Sequence, residues 1–354
     1  MAAARDKKTI AEGKSAGAGP SIADVARLSR TSIATVSRVL SDSKHPVALE
    51  TRARVREAAA GIGYKPNALA RAFATQRTQT IGLIVGDISD SYFAEIARGV
   101  EDTSGPQGYL TILCNADRSP DAELAYFRML LDHKVAAVMF AGGLFGNLPE
   151  MEALQEAVQR AQEEGRRVLA LAPRDFPNVQ TLAIDNIAVT YDMTRYLIQL
   201  GHRSIAYVGG PQGMNTSTLR REGFVKAMTE AGLDATMIHN EGFGFESGRQ
   251  AATTILSQSL PDAVLAANDD SAIGLLITFR AAGVDVPQQM SVAGVDDSRL
   301  ASLLDLTTVK IPKYELGVIA ARQVLDAMAG GKTQSQVLPH KIVARSSTRY
   351  RGPK

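Results

Sequence analysis

From residue 80 onward, short apolar runs alternate with segments of helical period, and that alternation restricts most of the chain to an α/β architecture. TIGLIVGDI (80–88) is dense in Ile and Val and ends in polar and turn residues, the pattern of a strand buried on both faces. YLTILC (109–114), VAAVMF (135–140) and RVLALA (167–172) repeat it. Between them lie a helical stripe of Phe93, Ile96, Ala97 and Val100 within 92–104, and helical segments near 120–132 and 150–164. A second series places strands at 181–184, 204–209, 262–267 and 291–295, alternating with helices near 187–200, 217–231, 246–257 and 270–281. Strands separated by such helices form βαβ units. The expectation is two doubly wound parallel sheets, with ligand loops at the carboxyl ends of their strands.

The first 80 residues differ in kind. They hold short helical segments at about 22–29, 33–40 and 50–60 and no strand run. Gly61, Gly63 and Pro66 then interrupt helix before a further stretch at 67–74. At about two turns that stretch is too short to be stable alone, so its folding should depend on a partner. Charge is divided in the same place: residues 1–79 carry 14 Lys and Arg against 6 Asp and Glu, leaving 25 against 31 for the rest. A basic front on an acidic body suits phosphate neutralisation, with a merely solvated basic face as the alternative. Residues 1–20 read as a disordered basic arm without the apolar stretch of a secretory signal. No run approaches the 18–20 apolar residues of a membrane span. Cys114 is the single cysteine, which excludes an internal disulfide framework and a multi-cysteine zinc site. Together these features place the protein in the cytoplasm.

SIADVARLSRTSIATVSRVL (21–40) carries two helices of about two turns joined by a tight connection. Ile22, Val25 and Ala26 share one face of the first, and Val36, Val39 and Leu40 one face of the second. Ser21 and Ser32 stand at N-cap positions, and Asp24 completes a capping-box arrangement with Ser21. A helix-turn-helix lays its second helix in the major groove. Ile33, Ala34 and Arg38 are then the base-reading candidates, since Arg pairs bidentately with guanine and apolar groups touch the thymine methyl. Ser32, Thr35 and Ser37 offer hydroxyls for phosphate. An ordinary helical hairpin with a solvated Arg38 is the competing reading.

The ordered motifs SIADVA (21–26), TVSRVL (35–40), TRARV (51–55), GYKPNALAR (63–71), IGLIV (81–85), AEIARGVED (94–102), IDN (184–186), GHRSIAYVGGP (201–211), RREGF (220–224), ND (268–269), GVDD (294–297) and LTTVKIP (306–312) carry a wider likeness. From Ser21 to Ser347 the chain resembles the LacI/GalR family of bacterial transcriptional regulators. The resemblance implies an all-α helix-turn-helix head with a hinge helix, followed by a two-lobed α/β domain like that of periplasmic binding proteins. Its domains would be 21–63 (head), 64–79 (hinge and linker), 80–178 with 311–335 (first lobe), 179–310 with 336–348 (second lobe), and a tail at 349–354. In the hinge, Asn67, Ala70 and Arg71 would meet DNA, and Phe73 would stand at the wedge position usually held by Leu. Three further positions depart from the pattern. Arg30 replaces the usual turn Gly, Ala48 the usual capping Ser of the third helix, with Thr51 as a later start, and Ser41 the usual Asn.

The same resemblance implies a small-molecule effector, sugar-like, in the cleft between the lobes. Asp90, Tyr92, Phe93, Arg220, Phe243, Asn268 and Asp296 match its contact positions. Polar groups would fix hydroxyls while a ring covers an apolar face. Asn268 and Asp296 could instead be cap and turn residues, Arg220 a surface ion pair, and Phe243 plain core. Ile311 stands where relatives often have Gln, which points to a less polar rim or a different ligand, and Arg174 has no aligned role. A homodimer on a pseudo-palindromic double-stranded DNA operator follows from the two-fold logic of such heads. Control by a partner protein, or a sugar-binding protein without a regulatory role, are the alternatives. No cofactor, metal or catalytic residue is read from the sequence. Dinucleotide, Walker and nucleophile-elbow motifs are missing, VGGPQG (208–213) reads as a turn, and the five histidines lack metal spacing.

Overall fold

The computed structural model describes residues 19–40, 45–64, 78–143 and 149–352. The basic arm, Ser41, and the hinge candidates Asn67, Ala70, Arg71 and Phe73 lie outside the described residues. The chain divides into two units, Met1–Thr78 and Gln79–Lys354.

In the first unit three helices, α1 (Ile22–Ser29), α2 (Ile33–Leu40) and α3 (Leu49–Gly61), enclose one small apolar cluster. Val25, Ala26, Val36, Val39, Val55 and Ala59 form its buried centre, because their spacing puts them on the inward stripe of each helix. Asp24 N–H donates to Ser21 Oγ at 3.3 Å and Ser21 N–H to Asp24 Oδ2 at 3.1 Å, a reciprocal box that starts α1. Arg30 ends α1 in the left-handed region, at φ 53° and ψ 44°. Ser32 Oγ then accepts from Thr35 N–H at 3.1 Å to start α2. Ala48 gives α3 no side-chain cap, yet the helix begins at Leu49; its start is not moved to Thr51.

In the second unit one sheet runs β11-β5-β4-β3-β1-β2, with strands Thr80–Val85 (β1), Leu110–Asn115 (β2), Ala137–Ala141 (β3), Arg167–Ala170 (β4), Gln180–Ile184 (β5) and Gln336–Leu338 (β11). The other runs β7-β6-β8-β9, with Ile205–Gly209 (β6), Ile238–Asn240 (β7), Ala263–Ala266 (β8) and Ser291–Ala293 (β9). The pairings within both sheets are parallel. A short antiparallel ladder joins β10 (Thr308–Lys310) to β12 (Lys341–Val343).

This pairing corrects two expected boundaries. The run at 181–184 reads in sequence as part of the second series, but Leu169 pairs with Gln180 and Ala170 with Thr181, so β5 extends the first sheet. Strand 336–338 pairs on β5 and lies in the first sheet too, not in the second lobe. Strand character is a local property, whereas sheet membership is decided by tertiary pairing. The stretch 349–352 is likewise no free tail. Arg351 N–H donates to the Leu200 carbonyl at 2.7 Å, and its guanidinium pairs with Asp262.

Helices cover both faces of the sheets. In the first lobe, α4 (Ser91–Ser104) and α12 (Lys313–Met328) meet at two glycines. A Cβ at Gly99 would collide with the Tyr314 carbonyl, and one at Gly317 with the Ile96 carbonyl. In the second lobe, α7 (Asn186–Gln199), α8 (Asn215–Glu230), α9 (Phe245–Leu256) and α10 (Asp269–Ala281) flank the four-stranded sheet. The strand cores are mostly apolar: Ile81, Leu83 and Ile84 are among the side chains wholly removed from solvent.

Candidate functional site

Between the lobes, at the carboxyl ends of the strands, lies a cavity that opens to solvent. Asp90, Tyr92, Phe93, Arg220, Phe243, Asn268 and Asp296, the seven candidates read from the sequence, all line it.

The first-lobe wall is built on the turn after β1. Asp90 caps α4, accepting from Tyr92 N–H at 2.9 Å. Tyr92 and Phe93 fill the first helical turn and meet edge to face at 5.1 Å. Phe93 is buried because Gly86 and Gly142 leave room for its ring; a Cβ at either would come within 3.0 to 3.2 Å of it. Arg118, which the sequence reading missed, follows β2 at φ 54°. It binds Asp87 at 2.6 Å and Asp90 at 3.2 Å, and its guanidinium lies 6.0 Å from the Phe243 ring centre. Its signal was its place: a cation just beyond a strand's carboxyl end, ahead of a helix.

The second-lobe wall centres on Arg220, 5% exposed on α8. Its Nε donates to Asn186 Oδ1 at 2.9 Å, Nη1 donates to the Ala267 carbonyl, and Nη2 stands 3.7 Å from Asp296 Oδ1. A surface ion pair is therefore not its role. Asn186, which belongs to the IDN motif but was not singled out, is a structural partner of Arg220 as well as a wall residue. Asn268 is both cap and wall: Oδ1 accepts from Ser271 N–H at 3.1 Å and Nδ2 donates to the Phe243 carbonyl at 2.7 Å. The Phe243 ring lies directly on Gly210, where any Cβ would strike it.

Asp296 occupies a strained turn at φ 123°. Its carbonyl accepts from Lys313 Nζ at 2.6 Å, and the same buried ammonium reaches Glu95 of the first lobe at 3.1 Å. Its Oδ1 is buried with no hydrogen-bond partner among the described residues. Burial pushes the Asp296 carboxyl well up, with Arg220 and Lys313 opposing. Burial, with Asp90 nearby, also raises half-buried Asp270 to about 6.

Two sequence expectations change. Ile311 is 1% exposed inside the main apolar core and is not part of the cavity wall, so it has no bearing on rim polarity. Arg174 acquires a role behind the wall. It grips Glu123 at 2.9 and 2.6 Å, lies 4.7 Å over Phe140, and donates to the Gly142 carbonyl at 3.1 Å, bracing the turn under Phe93.

The head presents a second candidate surface. On α2, Ile33 is 52% exposed and Ala34, Ser37 and Arg38 are exposed with it, while Val36 and Val39 face inward. Ser32 and Thr35 differ: their hydroxyls lie 2.9 Å apart in a mutual hydrogen bond. Among the described residues no helix is long and apolar enough to cross a membrane.

Comparison with known proteins bears on both surfaces. Residues 21–67 match the model for bacterial regulatory proteins of the lacI family, and residues 194–348 match a periplasmic binding protein-like domain. The chain is similar to the HTH-type transcriptional regulator RegA of Clostridium saccharobutylicum, 35% identical over 337 residues, covering 93% of this chain and 99% of that one. Among solved structures, the lac repressor dimer bound to operator and the anti-inducer ONPF superposes with a TM-score of 0.83 at 25% identity, over 94% of this chain and 100% of that one. The transcriptional regulator CelR–cellobiose complex superposes with a TM-score of 0.66 at 29% identity, over 93% and 99%. With a three-helix head whose second helix exposes one face and a two-lobed domain following it in sequence, the chain belongs to the lacI family of bacterial regulatory proteins and is a DNA-binding transcriptional regulator.

Proposed function

We propose that this regulator is a cytoplasmic repressor that binds a pseudo-palindromic operator as a homodimer and releases or grips it according to a carbohydrate held between its lobes. The convergence of seven side chains from both lobes on one cavity carries the reading. Rings at Phe93 and Phe243 offer apolar faces, and the Arg220–Asp296 pair offers a donor beside an acceptor. That combination suits a polyol. Similarity to a regulator bound to cellobiose supports the same class of ligand. The work of the cavity is binding and not catalysis: ligand affinity that differs between two arrangements of the lobes shifts the population between them.

On α2, Arg38, Ile33 and Ala34 read base edges, and Ser37 contacts phosphate. The experiment is a selection of duplexes from the source genome with purified full-length protein, followed by titration of the chosen operator. Arg38→Ala should weaken operator binding by about ten- to a hundredfold and relax preference at one base pair of each half-site. Equal affinity of wild type and variant for the selected operator and for scrambled DNA would overturn the assignment.

A further inference from the structure

The cavity wall contains two cations, and both are already engaged. Arg118 divides its guanidinium between Asp87 at 2.6 Å and Asp90 at 3.2 Å. Arg220 commits Nε to Asn186 and Nη1 to the Ala267 carbonyl, and its remaining nitrogen faces Asp296 at 3.7 Å. Lys313 is withdrawn behind the wall: its side chain is 1% exposed, with Nζ on the Asp296 carbonyl and the Glu95 carboxylate. Against Arg118 and Arg220 stand Asp90 and Asp296 in the wall and, just off it on Arg118, Asp87. Counting all three, the balance is one net negative charge with Asp296 ionised and zero with it protonated; in neither state is there a positive surplus. Half-buried Asp270, on the α10 turn that follows Asn268, adds a further acid near Asp90.

Helix N-termini are the other usual seats for an anion. Three at this cleft are filled by the protein's own caps: Asp90 on α4, Asp185 on α7 and Asn268 on α10. Those of α9, which begins after Phe243, and of α8, at Asn215, have no side-chain cap, but the first lobe closes over that of α8. Asn215 Nδ2 donates to the Pro173 carbonyl at 3.0 Å, and a Cβ at Gly143 would lie 2.5 Å from Thr216 Oγ1. The buried polar atom left without a partner in this wall is an acceptor, Asp296 Oδ1. Such an atom calls for a donor.

We propose that the cavity selects an uncharged polyhydroxylated ligand, one of whose hydroxyls donates to Asp296, and rejects phosphorylated sugars and sugar acids. The inference rests on the carbohydrate reading above and narrows it. An anion entering here would give up its hydration for a site where each guanidinium is already shared with the protein's own acceptors and a carboxylate lies within a few ångströms. A neutral polyol gives up far less and satisfies the orphaned oxygen.

The test is calorimetric titration of the full-length protein with matched sets: glucose, gluconate and glucose 6-phosphate; galactose, galacturonate and galactose 6-phosphate; ribose and ribose 5-phosphate; cellobiose and cellobionate. The expected result is that the tightest binder is neutral and that its acid or phosphate counterpart binds on the order of a hundredfold more weakly. In Asp296→Asn, affinity for the neutral ligand should fall about tenfold and the preference over its acid should shrink to roughly tenfold or less. Asp270→Asn, at a half-buried position off the wall, should shrink the preference without reducing affinity for the neutral ligand. An acid or phosphate that binds wild type as tightly as its neutral partner would overturn charge selection and leave the carbohydrate reading standing. Failure of every sugar in the set, charged or not, would overturn both.

Discussion

On α2 the groups facing outward, Ile33, Ala34, Ser37 and Arg38, are exposed, while the packing that holds the helix is carried by Val36 and Val39 on the opposite side. In the cavity no such division exists. Arg220, Asn268 and Asp296 are 5%, 3% and 6% exposed, and each also ties one element to another. Arg220 links α8 to Asn186 and to the end of β8; Asn268 starts α10 and holds the Phe243 loop; Asp296 anchors Lys313. A surface that reads a stiff external partner can separate contact from stability. A pocket that encloses a small ligand uses the same hydrogen bonds for both.

The largest expected effect breaks that comparison at its strongest point. Arg220→Ala removes donors to Asn186 and the Ala267 carbonyl and leaves the buried Asp296 without its guanidinium. Removing one partner of a buried, hydrogen-bonded charge costs roughly 3–5 kcal/mol. The second unit should lose about that much in urea denaturation, along with ligand binding. Arg38→Ala, at an exposed position, should stay within about 0.5 kcal/mol of wild type. If Arg220→Ala abolished ligand binding at unchanged stability, Arg220 would be a pure contact residue and the cavity would resemble the head after all.

A second contrast lies in pH. The buried cluster of the head is made of Val and Ala. The body buries ionisable groups, among them His202, 0% exposed beneath the docked segment 349–352. Burial, reinforced by Arg351, holds His202 down to about 4 from 6.5. The unfolded chain therefore takes up this proton near 6.5 and the folded protein only near 4. The contribution of neutral His202 to stability is complete above 6.5 and is lost as pH falls between those values. Asp269 and Asp270, raised to about 6 chiefly by burial, act in the opposite sense. Between 6 and 3.8 the folded carboxyls bind protons that the unfolded ones do not, which favours folding as pH falls. Comparing wild type with His202→Gln isolates the histidine. From pH 7 to pH 5, wild type should lose more thermal stability than the variant. Parallel pH profiles would show that His202 takes its proton without resistance.

The sequence made the head almost wholly legible because its determinants are local. Caps at Ser21 and Ser32 and the apolar stripes place α1 and α2 at their observed limits. Most strands and helices of the body were legible for the same reason, but helix Lys313–Met328 and the three-residue strands Ile238–Asn240, Thr308–Lys310 and Lys341–Val343 went unread. The rest of what stayed hidden was tertiary. Nothing in TLAI says which sheet it joins, and strand Gln336–Leu338 is too short for a period to register. Arg118 reaches the cavity only because Asp117 and Arg118 both bend left-handed, at φ 50° and 54°, which returns its guanidinium to Asp87 and Asp90. Arg174 finds Glu123 across 51 residues of chain. Ile311 was misjudged because a position's polarity in relatives says little about which way a side chain points once the core claims it.

The smallest effect tests the comparison from inside the head, at a residue where stability and contact oppose each other. Arg30 closes α1 at φ 53°, its N–H reaching the Ala26 and Arg27 carbonyls. Glycine adopts that conformation freely, whereas a residue with a Cβ gives up about 1 kcal/mol. Arg30→Gly should therefore raise the stability of the head by about 0.5–1 kcal/mol in denaturant titration. Its side chain is exposed and basic in the turn that leads into α2, where a phosphate contact would offset the strain. If it makes one, the same variant should bind operator more weakly at low salt, with the dependence of log K on log salt shallower by about one. A more stable head with an unchanged salt slope would mean the strained arginine contributes nothing to DNA. The separation of contact from packing seen on α2 would then extend through the turn before it.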